Sequence, residues 1–250
     1  MGTACVSALN DRVMPWHFGG PTQGPNRVAW MKNVFYGARL THATSGLKHL
    51  PALHVWLPES IVYNDMVEFN EAEKGNWPKV YNALFDADID YGVTNTLAVP
   101  PGSIVLYACV KPVLNAEEFA RLQQFMSKGG TLLCAFEGTP ELPDGTPIAD
   151  WAKLPQAKIV RVTLEPGMLK QCAQAKRKPL DWQSDQAALK TYVYGTPGGG
   201  MAYLLNNTSL EQPATVKLPT ALHNVLNGRS LGTGETVTIP PGMCLLLSHS

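Results

Sequence analysis

Two carboxylates in this 250-residue chain follow apolar runs in the way acid/base chemistry would need. Glu59 follows ALHVWLP (52–58), and Glu137 follows TLLCAF (131–136). In an open parallel sheet, ligands bind at the carboxyl ends of strands. If the two strands are neighbours, both carboxylates face one crevice, and a protonated and an ionised carboxyl together perform glycosidic acid/base chemistry. The competing reading is that both cap or solvate the start of a loop. Cys134 lies in the same stretch, GGTLLCAFEG (129–138), but inside the apolar run. There a cysteine serves as a small buried hydrophobe. Trp16 and His17 in the Gly-rich WHFGG, with Trp56 and Tyr63, are aromatic and polar groups that could stack on or hydrogen-bond a sugar. Burial against the rest of the chain is the alternative for them.

Other chemistries find no support. Asp86, Asp88 and Asp90 in DADID are spaced by two and do not converge on a helix. The five cysteines are scattered without a CxxC pair. No metal site or disulfide framework is therefore expected. No Walker loop, GxGxxG, GxSxG or HExxH occurs, and no cofactor is expected. PGGGM (197–201) reads as a hairpin turn. The sequons at Asn206 and Asn207 in NNTS matter only on secretion into a glycosylating host.

The elements that must position these residues are legible. Residues 26–44 read as an amphipathic helix, with Asn26 as N-cap and Val28, Met31, Phe35 and Ala38 on one face. From 52 the chain alternates strand and helix. ALHVWLP is a strand, and the helix after Asn76 and Pro78 carries Val80, Leu84, Phe85 and Asp88. GVTNTLA is a strand, and SIVLYACV (103–110) is a central one. In NAEEFARLQQFMSKGG, Asn115 caps the clearest helix, Glu117 and Glu118 occupy its electropositive first turn, and Gly129 closes it. TLLCAF and AKIVRVTL (157–164) are further strands. Near-continuous apolar strands alternating with helices indicate a parallel sheet covered on both faces. LKQCAQAKRKPLDW is a partly helical, basic linker. After about 183, short strands separated by PGGG and NG turns indicate a small antiparallel sandwich. The expected fold class is therefore α/β, a three-layer flavodoxin-like parallel sheet followed by an antiparallel β domain. The expected division is 1–50 (loop and helix), 51–182 (α/β domain) and 183–250 (β domain).

A formal net charge of zero argues against a nucleic-acid partner. No apolar run approaches a membrane span and no export signal is visible, so no membrane partner is expected. The unpaired cysteines favour a reducing, cytoplasmic compartment.

The order of these pieces resembles the C-terminal half of the family 42 β-galactosidases. NAEEFARLQQFMSKGGTLLCAFEG is similar to the helix, Gly-Gly turn and strand of that family's amidotransferase-like trimerisation domain. YLLNNTSLEQPATVKLPTALHNVLNGRSLGTGETVTIPPGMCLLL is similar to its terminal β domain, and WHFGGPTQGPNRVAWMKNVFYGARLTHA to its last barrel segment. The resemblance implies an accessory, oligomerising portion of a carbohydrate-active glycoside hydrolase. The family's catalytic glutamates lie on a barrel of about 250 residues that this sequence does not contain, so no position here inherits their roles. A compact free-standing hydrolase using Glu59 and Glu137, and a non-catalytic carbohydrate-binding protein, remain as alternatives. Carbohydrate and further copies of the chain are the expected partners. In class I glutamine amidotransferases the nucleophilic cysteine sits at a strand–helix elbow eight residues into the pattern. Counted from Gly129, that position is Phe136, not Cys134.

Overall fold

The computed structural model describes residues 36–60, 76–109, 111–174, 183–184, 188–209 and 211–249. Trp16, His17, Tyr63 and the expected helix start at Asn26 lie outside them. The described chain begins with helix α1 (36–44) and the short strand β1 (Lys48–His49), both of which belong with the C-terminal strands. Two compact units result, one built from residues 51–174 and the other from 36–50 with 183–249.

In the first unit, β2 (Leu53–Trp56), β3 (Tyr91–Thr94), β4 (Ile104–Ala108), β5 (Thr131–Ala135) and β6 (Ile159–Arg161) form one sheet, all pairs parallel, in the order β3-β2-β4-β5-β6. Numbered within the sheet this is 2-1-3-4-5, the flavodoxin-like winding. Period-two alternation puts Val105, Tyr107, Leu132 and Cys134 on one face, against Phe119, Leu122, Phe125 and Met126 of helix α3 (Ala116–Ser127). Leu53, Val55, Leu106 and Leu133 face the other way, against α2 (Asn76–Asp86) and α4 (Pro166–Gln174). Burial on both faces is why the central strands β4 and β5 carry almost no polar residue.

Local signals explain the ends of α3. Asn115 and Glu118 form a reciprocal capping box. At the other end Gly130 N–H reaches Phe125 O (3.2 Å) and Gly129 N–H reaches Met126 O (3.0 Å). These two bonds make a Schellman closure. The two glycines do different jobs. Gly129 adopts φ +84°, while a Cβ on Gly130 would lie 2.3 Å from the Phe125 ring. The first needs glycine for its backbone angle, the second for close approach. Helix α2 closes with Asp88 in the left-handed region (φ 53°). Asp88 therefore lies beyond the helix. Phe85, expected on the apolar face, is exposed, and the buried face is Val80, Ala83 and Leu84, continued by Ala87 just past the helix end.

The second unit contains two antiparallel sheets. One has the order β1-β8-β9-β14-β11-β12, from β8 (Leu189–Gly195), β9 (Met201–Asn207), β11 (Leu222–Asn224), β12 (Arg229–Leu231) and β14 (Cys244–Ser248). The other is β13-β10-β7, from β7 (Gln183–Ser184), β10 (Ala214–Lys217) and β13 (Thr236–Ile239). Leu189, Tyr203, Leu205 and Leu247 of the first sheet pack on Ala214, Val216 and Ile239 of the second. Two sheets sharing one apolar layer in this way make a sandwich. The outer face of the larger sheet is also covered. Tyr194, Ala202, Leu204 and Leu246 pack on Leu40 of α1. Tyr36 donates its hydroxyl to Cys244 O, Arg39 reaches Leu226 O (2.6 Å), and β1 extends the sheet beside β8. The buried face of α1 is Gly37, Leu40 and Thr44, so Ala38, expected on the apolar stripe, is exposed. Asn206 and Asn207 are buried, and the Asn207 amide donates to Gln212 O and Ile239 O, which removes both sequons from the surface of the folded unit.

Candidate functional site

In a 2-1-3-4-5 sheet the winding reverses between β2 and β4, and the crevice outside their carboxyl ends is the usual ligand position. Here that crevice is filled by the chain itself. Glu118, only 2% exposed, reaches back from the first turn of α3. Its Oε1 accepts from Ser60 N–H (3.0 Å), and its Oε2 accepts from Ser60 Oγ (2.5 Å) and Asn115 N–H (2.8 Å). Asn115 N–H also reaches Ser60 Oγ (3.2 Å). Beneath this cluster runs an aromatic row. Trp56, the last residue of β2, lies 5.0 Å from Tyr107, which makes an edge contact with Phe136, and Phe136 meets Trp151. Burial pushes the Tyr107 hydroxyl well above the usual tyrosine range, with the Cys109 thiol and the Glu118 carboxylate adding to the effect. That hydroxyl donates to Val113 O (3.1 Å).

Trp56 is fully buried and its indole N–H donates to Asn95 O (3.2 Å), so its ring faces protein and has no face to offer a sugar. Glu59 opens a helical turn after β2 and Glu137 follows β5; both are exposed. Their strands are not neighbours, because β4 stands between them. Two inter-strand spacings of about 4.8 Å separate the two backbones by roughly 10 Å. The crevice between β2 and β4 is occupied by Ser60 and Glu118. Glu118 is the buried carboxylate that sequence reasoning did not single out. The signal is present in the N-x-x-E capping box, but its reach to Ser60 spans 58 positions of sequence.

An open pocket of about 600 Å³ lies further along the sheet, at the carboxyl ends of β5 and β6. Phe136, Glu137, Gly138, Thr139, Arg161 and Thr163 line it, with Met168 of α4 on one side. The Arg161 guanidinium holds the loop in shape. It donates to Phe136 O (2.7 Å) and Gly138 O (2.6 Å). It also lies 4.9 Å over the Phe136 ring, a cation–π contact. Cys134 forms part of the pocket's inner wall but is 1% exposed. Burial pushes its thiol up to about 12 despite the opposing pull of Arg161. A thiol so held is an inert core group.

No family model and no curated protein matches the sequence. Solved structures do match. A catalytic mutant of the GH42 β-galactosidase from G. stearothermophilus superposes with a TM-score of 0.66 at 11% identity, over 91% of this chain and 44% of that one. The chain has the fold of part of a GH42 β-galactosidase. The β-galactosidase from Bacillus circulans sp. alkalophilus shares it at a TM-score of 0.60 and 13% identity, over 88% of this chain and 45% of that one. A rhamnosidase from Novosphingobium sp. PP1Y gives 0.53 at 14% identity, over 88% and 24%. The chain thus spans less than half the length of these galactosidases, and this galactosidase-type fold also occurs in part of a rhamnosidase.

Proposed function

We propose that the chain serves as an accessory and self-associating portion of a carbohydrate-active glycoside hydrolase, with the bond-breaking carboxylates supplied by a barrel outside these residues. The observation that carries this reading is the coverage. About nine-tenths of the chain superposes on galactosidases of which it accounts for less than half. The state of the carboxylates supports it too. Glu59 and Glu137 rise from strands separated by β4, and Glu118 has its oxygens engaged by Ser60 and Asn115. In this role the α/β unit contributes surface to a homo-oligomer, a trimer on the resemblance to family 42.

Among the described residues, Cys109, Cys134, Cys172 and Cys244 form no disulfide, which supports a reducing compartment. Among the described residues, no helix is long and apolar enough to cross a membrane.

Sedimentation velocity of the chain, from low to high micromolar concentration, tests the reading. Concentration-dependent association is expected; a clean monomer across that range overturns it. A panel of nitrophenyl glycosides is expected to show no turnover by the chain alone.

A further inference from the structure

The pocket at the carboxyl ends of β5 and β6 differs from the filled crevice beside it in what its polar groups are doing. Around Glu118 the described oxygens and N–H groups are spent on one another. In the pocket Arg161 is spent in part on the loop carbonyls and the Thr163 hydroxyl reaches the Met168 sulfur (3.5 Å), but other groups are not engaged. Among the described residues Glu137 makes no hydrogen bond or ion pair, the Thr139 hydroxyl has no partner, and Arg161 pairs with no carboxylate. Arg161 gives one N–H from each terminal nitrogen to the loop carbonyls, so its other donors are available. A carboxylate that accepts, a guanidinium that donates and hydroxyls that do both therefore surround one open volume of about 600 Å³. That volume falls within the roughly 300–1,000 Å³ range of small-molecule sites.

We propose that this pocket binds a neutral polyhydroxylated ligand of monosaccharide size, with Glu137 accepting from adjacent ligand hydroxyls and Arg161, Thr139 and Thr163 completing the polar ring. The ligand class rests on the glycoside-hydrolase reading above. The charge balance argues for neutrality on its own. One carboxylate and one guanidinium cancel, and a small anion attracted by Arg161 meets Glu137 in the same pocket. An apolar ligand would cover the Glu137 carboxylate without giving it a hydrogen bond. Arg161 also preorganises the site, since its bonds to Phe136 O and Gly138 O fix the loop that carries Glu137.

Amide chemical-shift titration of the full chain tests this, with D-galactose, D-glucose and L-rhamnose as probes and glycine and inorganic phosphate as charged controls. Saturable shifts clustered at residues 136–139 and 161–163 are expected with at least one sugar. The Glu137→Ala chain, folded by its unchanged spectrum elsewhere, is expected to bind that sugar at least about tenfold more weakly, the loss that follows from a charged hydrogen bond. Saturation by glycine or phosphate alone overturns the proposal, as does sugar binding that Glu137→Ala leaves intact, or no saturable sugar shift at all. The two readings fail separately. Sugar shifts mapping elsewhere sink the pocket and leave the accessory role standing, whereas a strict monomer in sedimentation sinks the accessory role and leaves the pocket.

Discussion

Glu118 and Ser60 join the first turn of α3 to the loop after β2, through Oε1 to the Ser60 N–H (3.0 Å) and Oε2 to its hydroxyl (2.5 Å). The carboxylate thereby closes the sheet's switch point from within. It also satisfies Asn115 N–H, so one side chain serves both the helix cap and the crossover.

Removing it should be costly. Glu118→Ala takes the acceptor from the Ser60 N–H and hydroxyl and leaves Asn115 N–H only its longer bond to Ser60 Oγ, which is expected to cost about 3 kcal/mol. Glu117→Ala, one residue away, loses only an exposed i,i+4 pair with Arg121. That loss should cost about 0.5 kcal/mol or less. Urea unfolding of the two variants checks this. Equal costs would show that the Ser60–Glu118 link is not made in solution.

The exposed carboxylates should behave oppositely. Among the described residues, Glu59 and Glu137 make no hydrogen bond or ion pair. Glu59→Gln and Glu137→Gln are therefore each expected to shift stability by about 0.5 kcal/mol or less. A loss above about 1.5 kcal/mol, the upper end for one ordinary hydrogen bond, would reveal a structural partner in either case. It would remove that residue from consideration as a ligand-binding group. Urea unfolding again supplies the measurement.

The alternation of strands and helices between 52 and 165 was legible because the central strands β4 and β5 are buried on both faces and α3 carries its own start and stop chemistry. Cys134 was legible by parity alone, since it shares a face with Leu132 and the α3 side of the core. The rest depended on residues distant in sequence. Which of Glu117 and Glu118 turns inward is decided by Ser60. Whether Trp56 is a sugar platform or core is decided by Tyr107 and Asn95. The face of α1 is set by Leu204 and Leu246, far downstream, so its own weak periodicity pointed at Ala38. The pocket was half legible: Glu137 was marked by its place after a strand, but Arg161 sits in a short run of Ile and Val that reads only as strand.

Alkaline pH should destabilise the α/β unit through Cys134. Its thiol is held up to about 12 in the fold, above its ordinary value of 9.0. The unfolded chain therefore loses this proton first. The fold's advantage, complete below pH 9, declines as pH rises from about 9 towards 12. The slope is at most about 1.4 kcal/mol per pH unit from this group. Urea midpoints between pH 8 and 11 are expected to fall less steeply for Cys134→Ala than for the parent chain. Parallel curves would mean that Cys134 ionises as freely in the fold as out of it. At pH 8 the same residue should resist iodoacetamide until denaturant is added.

The β unit should depend on a helix that lies far upstream of most of its strands. Leu40 is fully buried against Tyr194, Ala202, Leu204 and Leu246, so Leu40→Ala removes buried volume from a packed interface. A cost of about 2–4 kcal/mol is expected. Tyr36→Phe loses the hydroxyl bond to Cys244 O and should cost about 1 kcal/mol. Ala38→Ser, on the exposed side of the same helix, should cost about 0.5 kcal/mol or less. Hydrogen exchange locates the effect. If α1 is part of the unit's core, Leu40→Ala speeds exchange at the amides of β9 and β14, which lie under the helix, and leaves β4 and β5 unchanged. Faster exchange confined to residues 36–50 would instead describe a helix that rests on the sheet without supporting it.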